Sequence, residues 1–285
     1  MRRARPALGI LGGMGPLATA AFYRRLVERT PADADQAHLP VLMWADSAVP
    51  DRTAALLGEG PSPVPELVEG ARWLRRAGAT CIAVPCNTAH AYLEQVARAS
   101  GAEVLDMIDA ALRRAARTAS ESENRRPGGG GPVTRVGVLA TRGTRAARLY
   151  ERAGERLGLD VVQPPADVQE AYVDPAIRAV KAGLHAVEAG PGAAAPARWI
   201  TSAAEALEEQ GAEVVIAACT EIPLVAGEAA RVLPVVDSTE ALVDRALDRL
   251  WRPSQRSFVP ADESGCVMSS IRTNAQRRTR PNLRR

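Results

Sequence analysis

Short apolar runs alternate with longer amphipathic segments along most of the chain. The runs that are typical of β-strands cover residues 7–11, 39–45, 80–85, 103–105, 134–140, 159–162, 213–218 and 233–236. Helical periodicity fills most of the intervals between them, for example at 64–77, 87–99, 143–157 and 197–210. This alternation predicts parallel sheets covered by helices, and therefore the α/β fold class.

The first half of the chain resembles the second half in three places, in the same order. The matching segments are 9–23 with 137–151, 78–88 with 211–221, and 104–109 with 232–237. The second match places Cys86 on Cys219. Three ordered matches predict a duplicated fold, in which each half repeats the other.

Composition divides the chain further. The segment ASESENRRPGGGGP is rich in Ser, Pro and Gly and is typical of a flexible linker. The final residues are polar and basic with scattered prolines, which is typical of disorder. We therefore expect an N-terminal α/β domain at 1–118 carrying Cys86, a linker at 119–132, a C-terminal α/β domain at 133–251 carrying Cys219, and a disordered basic tail at 252–285.

The net charge of +3 is concentrated in the tail. The tail holds eight arginines against Asp262 and Glu263, so the rest of the chain is slightly acidic by count. A basic face for nucleic acid is therefore not expected on the folded part. The tail is interpreted as a solvated extension, with contact to nucleic acid or an acidic partner as the alternative.

The chain shows no apolar run of the roughly 18 to 20 residues that a membrane span needs. Arg2, Arg3 and Arg5 before the apolar segment 7–21 imitate a signal peptide, but four glycines interrupt that segment. A first strand followed by a Gly-rich loop and a helix is the preferred interpretation. Four cysteines are too few for a disulfide scaffold in 285 residues, so we expect a reducing, cytoplasmic setting and no membrane contact.

Cys86 and Cys219 each follow a predicted strand and precede a predicted helix. In parallel sheets, ligands bind at the carboxyl ends of the strands, where the following helices begin. The unpaired backbone N–H groups at a helix start favour anions and can lower the pKa of a thiol. Two opposed thiols could remove a proton from one face of a carbon and deliver another to the opposite face. The alternative is a pair of inert core thiols, an interpretation that suits Cys81 inside its strand.

Four motifs resemble those of a known family. GILGGMGP at 9–16, PDRTA at 50–54, PCNTAH at 85–90 and CTEIPL at 219–224 are similar to signatures of the pyridoxal-independent aspartate/glutamate racemases, especially the aspartate racemase branch. The resemblance covers roughly residues 6 to 250. It implies two pseudo-symmetric Rossmann-like domains with an interdomain cleft, two-base racemisation of a small acidic amino acid without a cofactor, and a homodimer.

The resemblance also implies roles for single residues. Arg52 would bind a substrate carboxylate, with Thr53 beside it. Lys181, the only lysine in the chain, would add positive charge at the site; the alternative is an ordinary charge on a surface helix. Glu221 would receive the α-ammonium or tune Cys219. A histidine holds that place in glutamate racemases, so Glu221 favours aspartate. The remaining predicted ligands are Met14, which would cap the pocket, and Asn87, Thr88 and Thr220, which would bind the α-carboxylate.

Two features stay open at this point. The loop at 13–18 satisfies the dinucleotide pattern G-x-G-x-x-G/A, but its context fails, so Gly12, Gly13 and Gly15 are interpreted as backbone that approaches a small substrate. His90 either braces the Cys86 loop or takes part in catalysis.

Other functions are compatible with the same residues. A relative could use the thiols differently, as a glutamate or hydantoin racemase, a maleate-type isomerase or a decarboxylase. A non-catalytic protein that binds acidic amino acids is the alternative from another class. The aspartate racemase hypothesis is preferred because both cysteine motifs are present.

Overall fold

A computed structural model describes residues 5–123, 135–183 and 194–256. The predicted linker and tail lie largely outside these residues. Helices from the folded part run into the start of both segments, as far as Glu123 and Arg256. None of the helices in the described ranges is long and apolar enough to cross a bilayer.

The described elements alternate as the sequence predicts. The strands are β1 (Ala7–Gly12), β2 (Val41–Ala45), β3 (Ala79–Ala83), β4 (Arg135–Ala140), β5 (Asp160–Val162), β6 (Val214–Ala218) and β7 (Val235–Asp237). The α-helices are α1 (Pro16–Arg29), α2 (Arg52–Leu57), α3 (Val64–Arg76), α4 (Leu93–Ser100), α5 (Met107–Glu123), α6 (Arg142–Ala146), α7 (Leu149–Leu157), α8 (Ala166–Val168), α9 (Asp174–Lys181), α10 (Ala194–Glu209) and α11 (Ser238–Arg256). A π-helical turn at Gln169–Val173 joins α8 to α9.

The strands form two parallel sheets with the same order. The sheet of the N-terminal lobe runs β2-β1-β3, and the sheet of the C-terminal lobe runs β5-β4-β6-β7. Every strand pair is parallel. Because β1 matches β4 and β3 matches β6 in the sequence repeat, the shared order agrees with a duplication.

One predicted strand is reduced to a single bridge. Residues 103–105 pair with β3 only at Val104, through a parallel bridge to Ile82. The two backbone hydrogen bonds there join Ile82 to Glu103 and Leu105, each over 2.8 Å. Helix α5 begins at Met107, so the chain leaves the sheet before a second pair can form.

Each sheet is covered on one face by a helix from the other half of the chain. Apolar residues of α11, including Leu242, Ala246 and Leu250, are buried in one cluster with Leu8 and Ile10 of β1. Apolar residues of α5 are likewise buried with β4 and β6 of the C-terminal lobe; they are Ile108, Ala111, Leu112 and Ala115. The two helices also pack on each other. Two of the four core clusters that the described residues form therefore contain residues from both halves of the chain.

Candidate active site

A small cavity lies between the lobes, at the carboxyl ends of β3 and β6. Its volume is about 20 Å³, room for roughly one water molecule. The residues that line it are Met14, Asp51, Arg52, Thr53, Cys86, Asn87, Thr88, Thr141, Lys181, Cys219, Thr220 and Glu221. All nine residues predicted from the sequence as catalytic or substrate-binding are in this set. Their roles stay predictions.

Both cysteines are nearly buried, each with 6% of its surface exposed. Cys86 follows β3 after the dipeptide Val84-Pro85, and its backbone N–H donates to the carbonyl of Val84 over 2.8 Å. Cys219 directly follows β6. Both are free thiols. Strands at equivalent positions of the repeat thus bring one thiol from each lobe to the same cavity.

Cys219 is held by its own loop. Its thiol donates a hydrogen bond to Oε2 of Glu221 over 2.9 Å, and the Thr220 hydroxyl donates to the same oxygen over 3.1 Å. Burial first, and then the Glu221 carboxylate, raise the pKa of Cys219 well above its usual value; the Lys181 ammonium opposes this. The sequence predicted a lowered pKa, and for Cys219 this was wrong, because the helix expected after it is a 3₁₀ turn of only Ile222–Leu224 beside a buried carboxylate.

Lys181 lines the cavity from the last residue of α9 and remains exposed to solvent. Burial of part of its side chain lowers the pKa, but the interactions with Cys219, Glu221 and Cys86 outweigh burial and raise the pKa overall. Lys181 is therefore a permanent cation that faces both thiols and the carboxylate. A compact ammonium at the end of a helix suits this position.

Arg52 begins α2 and turns its guanidinium onto backbone. Nη1 donates to the carbonyls of Val49 over 3.3 Å and Pro50 over 3.1 Å, and Nη2 donates to the carbonyl of Met14 over 3.3 Å. Nε is buried and has no hydrogen-bond partner. The hydrogen bonds of this guanidinium are long and one of its donors has no partner. The guanidinium could therefore give up its contacts with backbone carbonyls and bind a carboxylate.

Thr88 contacts the opposite lobe. Its hydroxyl lies 2.9 Å from that of Thr141 and 3.1 Å from that of Thr144. Thr141 caps α6 by accepting from the backbone N–H of Thr144 over 3.2 Å. The three hydroxyls thus join the Cys86 loop to the first helix after β4.

The glycine loop serves backbone packing more than the predicted substrate approach. Gly13 has a φ of +91°, and a Cβ there would lie 2.2 Å from the backbone oxygen of Asp46. A Cβ on Gly12 would lie 2.3 Å from the Thr19 side chain. Of the three glycines, only Gly15 faces the site, where an added Cβ would lie 4.0 Å from Oε1 of Glu221. Neighbouring protein atoms therefore leave no room for a side chain at Gly12 or Gly13.

His90 braces the Cys86 loop. Its Nε2 accepts from the backbone N–H of Met107 over 3.0 Å, so its proton lies on Nδ1, which donates to the carbonyl of Cys86 over 2.9 Å. Burial lowers the pKa of His90, which keeps the ring neutral. His90 lines a separate cavity of about 430 Å³ behind the loop and does not line the cavity that holds the thiols.

Sequence reasoning missed Asp51 and Thr141. Asp51 caps α2, with its side chain accepting from the N–H of Ala54 over 2.8 Å. Thr141 aligns with Gly13 in the internal repeat, and this position in the repeat was the signal that could have located it.

Comparison with known proteins agrees with this arrangement. Residues 11–246, most of the chain, match the family model described as Asp/Glu/hydantoin racemase. The chain is 24% identical over 241 residues to the broad specificity amino-acid racemase RacX of Bacillus subtilis, covering 82% of this chain and 94% of RacX.

Solved structures show the same fold. The Picrophilus torridus aspartate racemase superposes with a TM-score of 0.66 at 27% identity, covering 86% of this chain and 94% of that one. A Francisella tularensis glutamate racemase, crystallised with D-glutamate, superposes with a TM-score of 0.60 at 16% identity, covering 88% and 82% of the two chains. These likenesses confirm the predicted two-domain α/β architecture.

Proposed function

We propose that this chain, which belongs to the Asp/Glu/hydantoin racemase family, racemises aspartate with Cys86 and Cys219 as its two acid–base groups. Membership of the family makes it an amino-acid racemase, which is an isomerase. The family resemblance predicted from the four motifs is thereby confirmed. The substrate and the use of the thiols are the proposal.

The observation that carries the proposal is the meeting of two buried free thiols in one small polar cavity. Cys86 and Cys219 come from opposite lobes and from equivalent positions of the repeat, and both line the cavity. Cys81 is a useful contrast. It lies buried in β3, away from the cavity, where burial raises the pKa of its thiol to about 11. Two of the three described thiols thus line the cavity, which supports their use in the proposed reaction.

The proposed step moves two protons. The thiolate of one cysteine takes the proton from Cα as the Cα–H bond breaks, and the bonding electrons remain on the substrate as a carbanion. The thiol of the other cysteine then delivers its proton to the opposite face, which forms the new Cα–H bond and inverts the centre. Burial raises the pKa of Cys219 and its thiol donates to Glu221, so we propose Cys219 as the group that delivers the proton.

The charges around the cavity favour an acidic amino acid. Arg52 and Lys181 supply two cations, and Glu221 supplies a buried carboxylate. Aspartate carries two carboxylates and one ammonium, so its charges complement this set. The α-carboxylate would bind at Thr88, Thr220 and the remaining amide hydrogen of Asn87. Arg52 would bind the side-chain carboxylate, with Met14 above it.

The cavity must enlarge before aspartate can bind. A volume of about 20 Å³ holds one water molecule, far less than an amino acid. The contacts that close it are the Thr88–Thr141–Thr144 hydroxyls between the lobes. The structure therefore corresponds to a closed form, and the proposed cycle includes separation of the lobes.

The test is incubation of the purified protein with L-aspartate in D₂O, without pyridoxal phosphate. We expect D-aspartate that carries deuterium at Cα. Cys86→Ser and Cys219→Ser should each abolish inversion, whereas Cys81→Ala, the matched control at a buried thiol outside the cavity, should retain it. Absence of exchange and inversion with aspartate and glutamate would overturn the proposal. Equal racemisation rates with neutral amino acids would contradict the preference for aspartate and would indicate a broad substrate specificity.

We also propose a homodimer that acts in the cytoplasm. Free thiols at Cys81, Cys86 and Cys219 fit a reducing compartment. Leu17, Tyr23 and Val27 of α1 are large apolar residues exposed on the described surface and are candidates for a dimer contact. Light scattering after size-exclusion chromatography tests the dimer, and a monomeric mass at micromolar concentration would contradict it.

A further inference from the structure

A buried chain of hydrogen bonds links the residue beside Cys86 to the strand that carries Cys219. The Tyr150 hydroxyl lies 2.6 Å from Oδ1 of Asn87, and Nδ2 of Asn87 lies 3.1 Å from the hydroxyl of Ser238. The Ser238 hydroxyl lies 2.8 Å from the carbonyl of Ala217, two residues before Cys219. Asn87 belongs to the N-terminal lobe, and the other three residues lie in the C-terminal half of the chain.

The direction of every hydrogen bond in this chain is fixed by the carbonyl at its end. A carbonyl only accepts, so the single hydroxyl hydrogen of Ser238 goes to Ala217. Ser238 must then accept from the amide nitrogen of Asn87, which orients that amide. The amide oxygen consequently faces Tyr150, whose hydroxyl donates. Each group has one compatible role, so the arrangement leaves no alternative orientation of Asn87.

Burial makes the chain costly to break. Tyr150 and Ser238 are fully buried and Asn87 is 3% exposed. Burial raises the pKa of Tyr150 well above its usual value, so the phenol stays protonated and remains a donor. Solvent does not reach Tyr150 or Ser238 to replace a lost partner, and an unsatisfied buried polar group is costly in free energy.

We infer that Tyr150 and Ser238 are positioning residues that fix the position of the Cys86 thiol relative to the Cys219 thiol. Asn87 is bonded covalently to Cys86, and Ala217 lies on β6, the strand directly before Cys219, so these hydrogen bonds link the two cysteines through buried protein groups. Inversion needs the thiols on opposite faces of one carbon. A shift of about 1 Å in one thiol is enough to impair such a step. Neither residue lines the cavity, so neither acts on the substrate directly.

This inference rests on the proposed two-thiol function, and the experiment separates the two. Tyr150→Phe removes only the hydroxyl, and Ser238→Ala removes both bonds of Ser238. For each variant the wild-type assay is repeated with L-aspartate in D₂O. The quantity measured is the ratio of deuterium entering recovered L-aspartate to D-aspartate formed. This ratio does not depend on how much protein is folded, so a purely structural role would not move it.

We expect inversion to fall about tenfold in each variant and the ratio of exchange to inversion to rise several-fold, because proton removal survives while delivery from the opposite face fails. Tyr172→Phe is the matched control, since Tyr172 is a half-buried tyrosine of the same lobe outside this chain. In an Asn87→Ala background, Tyr150→Phe should add nothing further, because its only route to Cys86 is gone.

The outcomes are distinct. A wild-type protein that neither exchanges nor inverts overturns the proposed function, and the inference with it. A racemising wild type whose Tyr150→Phe and Ser238→Ala variants keep the wild-type ratio overturns the inference alone. Additive effects of Tyr150→Phe and Asn87→Ala would also overturn it.

Discussion

Gly143 and Thr53 lie in close contact, one in each lobe. A Cβ on Gly143 would lie 2.8 Å from both Cα and Oγ1 of Thr53, and 3.0 Å from Cγ2 of Thr88. Gly143 lies in α6 and Thr53 in α2, on opposite sides of the site. Because Cβ atoms do not approach backbone so closely, closure of the lobes depends on the absence of a side chain at Gly143.

Gly143→Ala should therefore hold the lobes apart and lower kcat/KM for aspartate on the order of 10- to 100-fold. Its stability should not fall in parallel, because alanine is favoured over glycine in a helix by up to about 1 kcal/mol. Steady-state kinetics and thermal melting measure the two effects. Gly227→Ala is the control, since nothing lies within 4 Å of a Cβ there. Unchanged kinetics for Gly143→Ala would contradict the closure argument.

Glu221→Gln should lower the pKa of Cys219. The carboxylate raises this pKa, second only to burial, and the amide of Gln keeps the shape without the charge. In a Cys86→Ser background, ultraviolet absorbance of the thiolate should rise at a lower pH than in the matched protein with Glu221. Glu228→Gln, at an exposed position of the same lobe, serves as the control. A shift to higher pH would show that the carboxylate does not act through its charge.

Lys181→Met should weaken the binding of acidic substrates. Lys181 compensates the negative charge of Glu221, and its loss leaves this carboxylate to repel a carboxylate of the substrate. Because the ammonium is exposed and screened by solvent, we expect a rise in KM on the order of tenfold. Lys181→Arg should restore the charge but only part of the affinity, since a guanidinium is larger and planar. Equal KM values for the Met variant and wild type would rule out this role.

Protein stability should fall as the pH drops through about 6.5, the usual pKa of a histidine in the unfolded chain. Burial lowers the pKa of folded His90, so in this pH range the unfolded chain binds a proton that the folded protein does not bind. The contribution of His90 to the free energy of unfolding is complete above pH 6.5 and is lost as the pH falls below it. Urea denaturation at a series of pH values measures this slope, and His90→Gln should flatten it. A variant that loses the same stability at every pH would exclude His90 as the source.

The internal repeat predicted much of the site. It paired Cys86 with Cys219 and thereby selected two thiols out of four, and the structure places both at one cavity. Lys181 was identified from composition alone, as the only lysine of the chain. These signals are local or symmetric, so they can be read without knowing how the lobes dock.

Contacts that depend on docking could not be predicted. Tyr150 meets Asn87 from 63 residues away, and Ser238 meets it from 151 residues away. Nothing in either local sequence distinguishes them from other core tyrosines or helix-starting serines. The raised pKa of Cys219 was missed for a related reason, since it depends on burial and on the side-chain direction of Glu221.

The exchange of α5 and α11 between the lobes bears on the origin of the chain. Helix α5 begins within the matched segment 104–109 and α11 begins directly after its counterpart 232–237, so the two helices occupy similar places in the repeat. Each covers the sheet of the opposite half. An ancestral single copy would have left one face of its own sheet only partly covered, and the same helix from a second copy could have completed it. Gene fusion would thus have joined two protomers that already exchanged helices, which explains why two of the four core clusters in the described part of the chain contain residues from both halves.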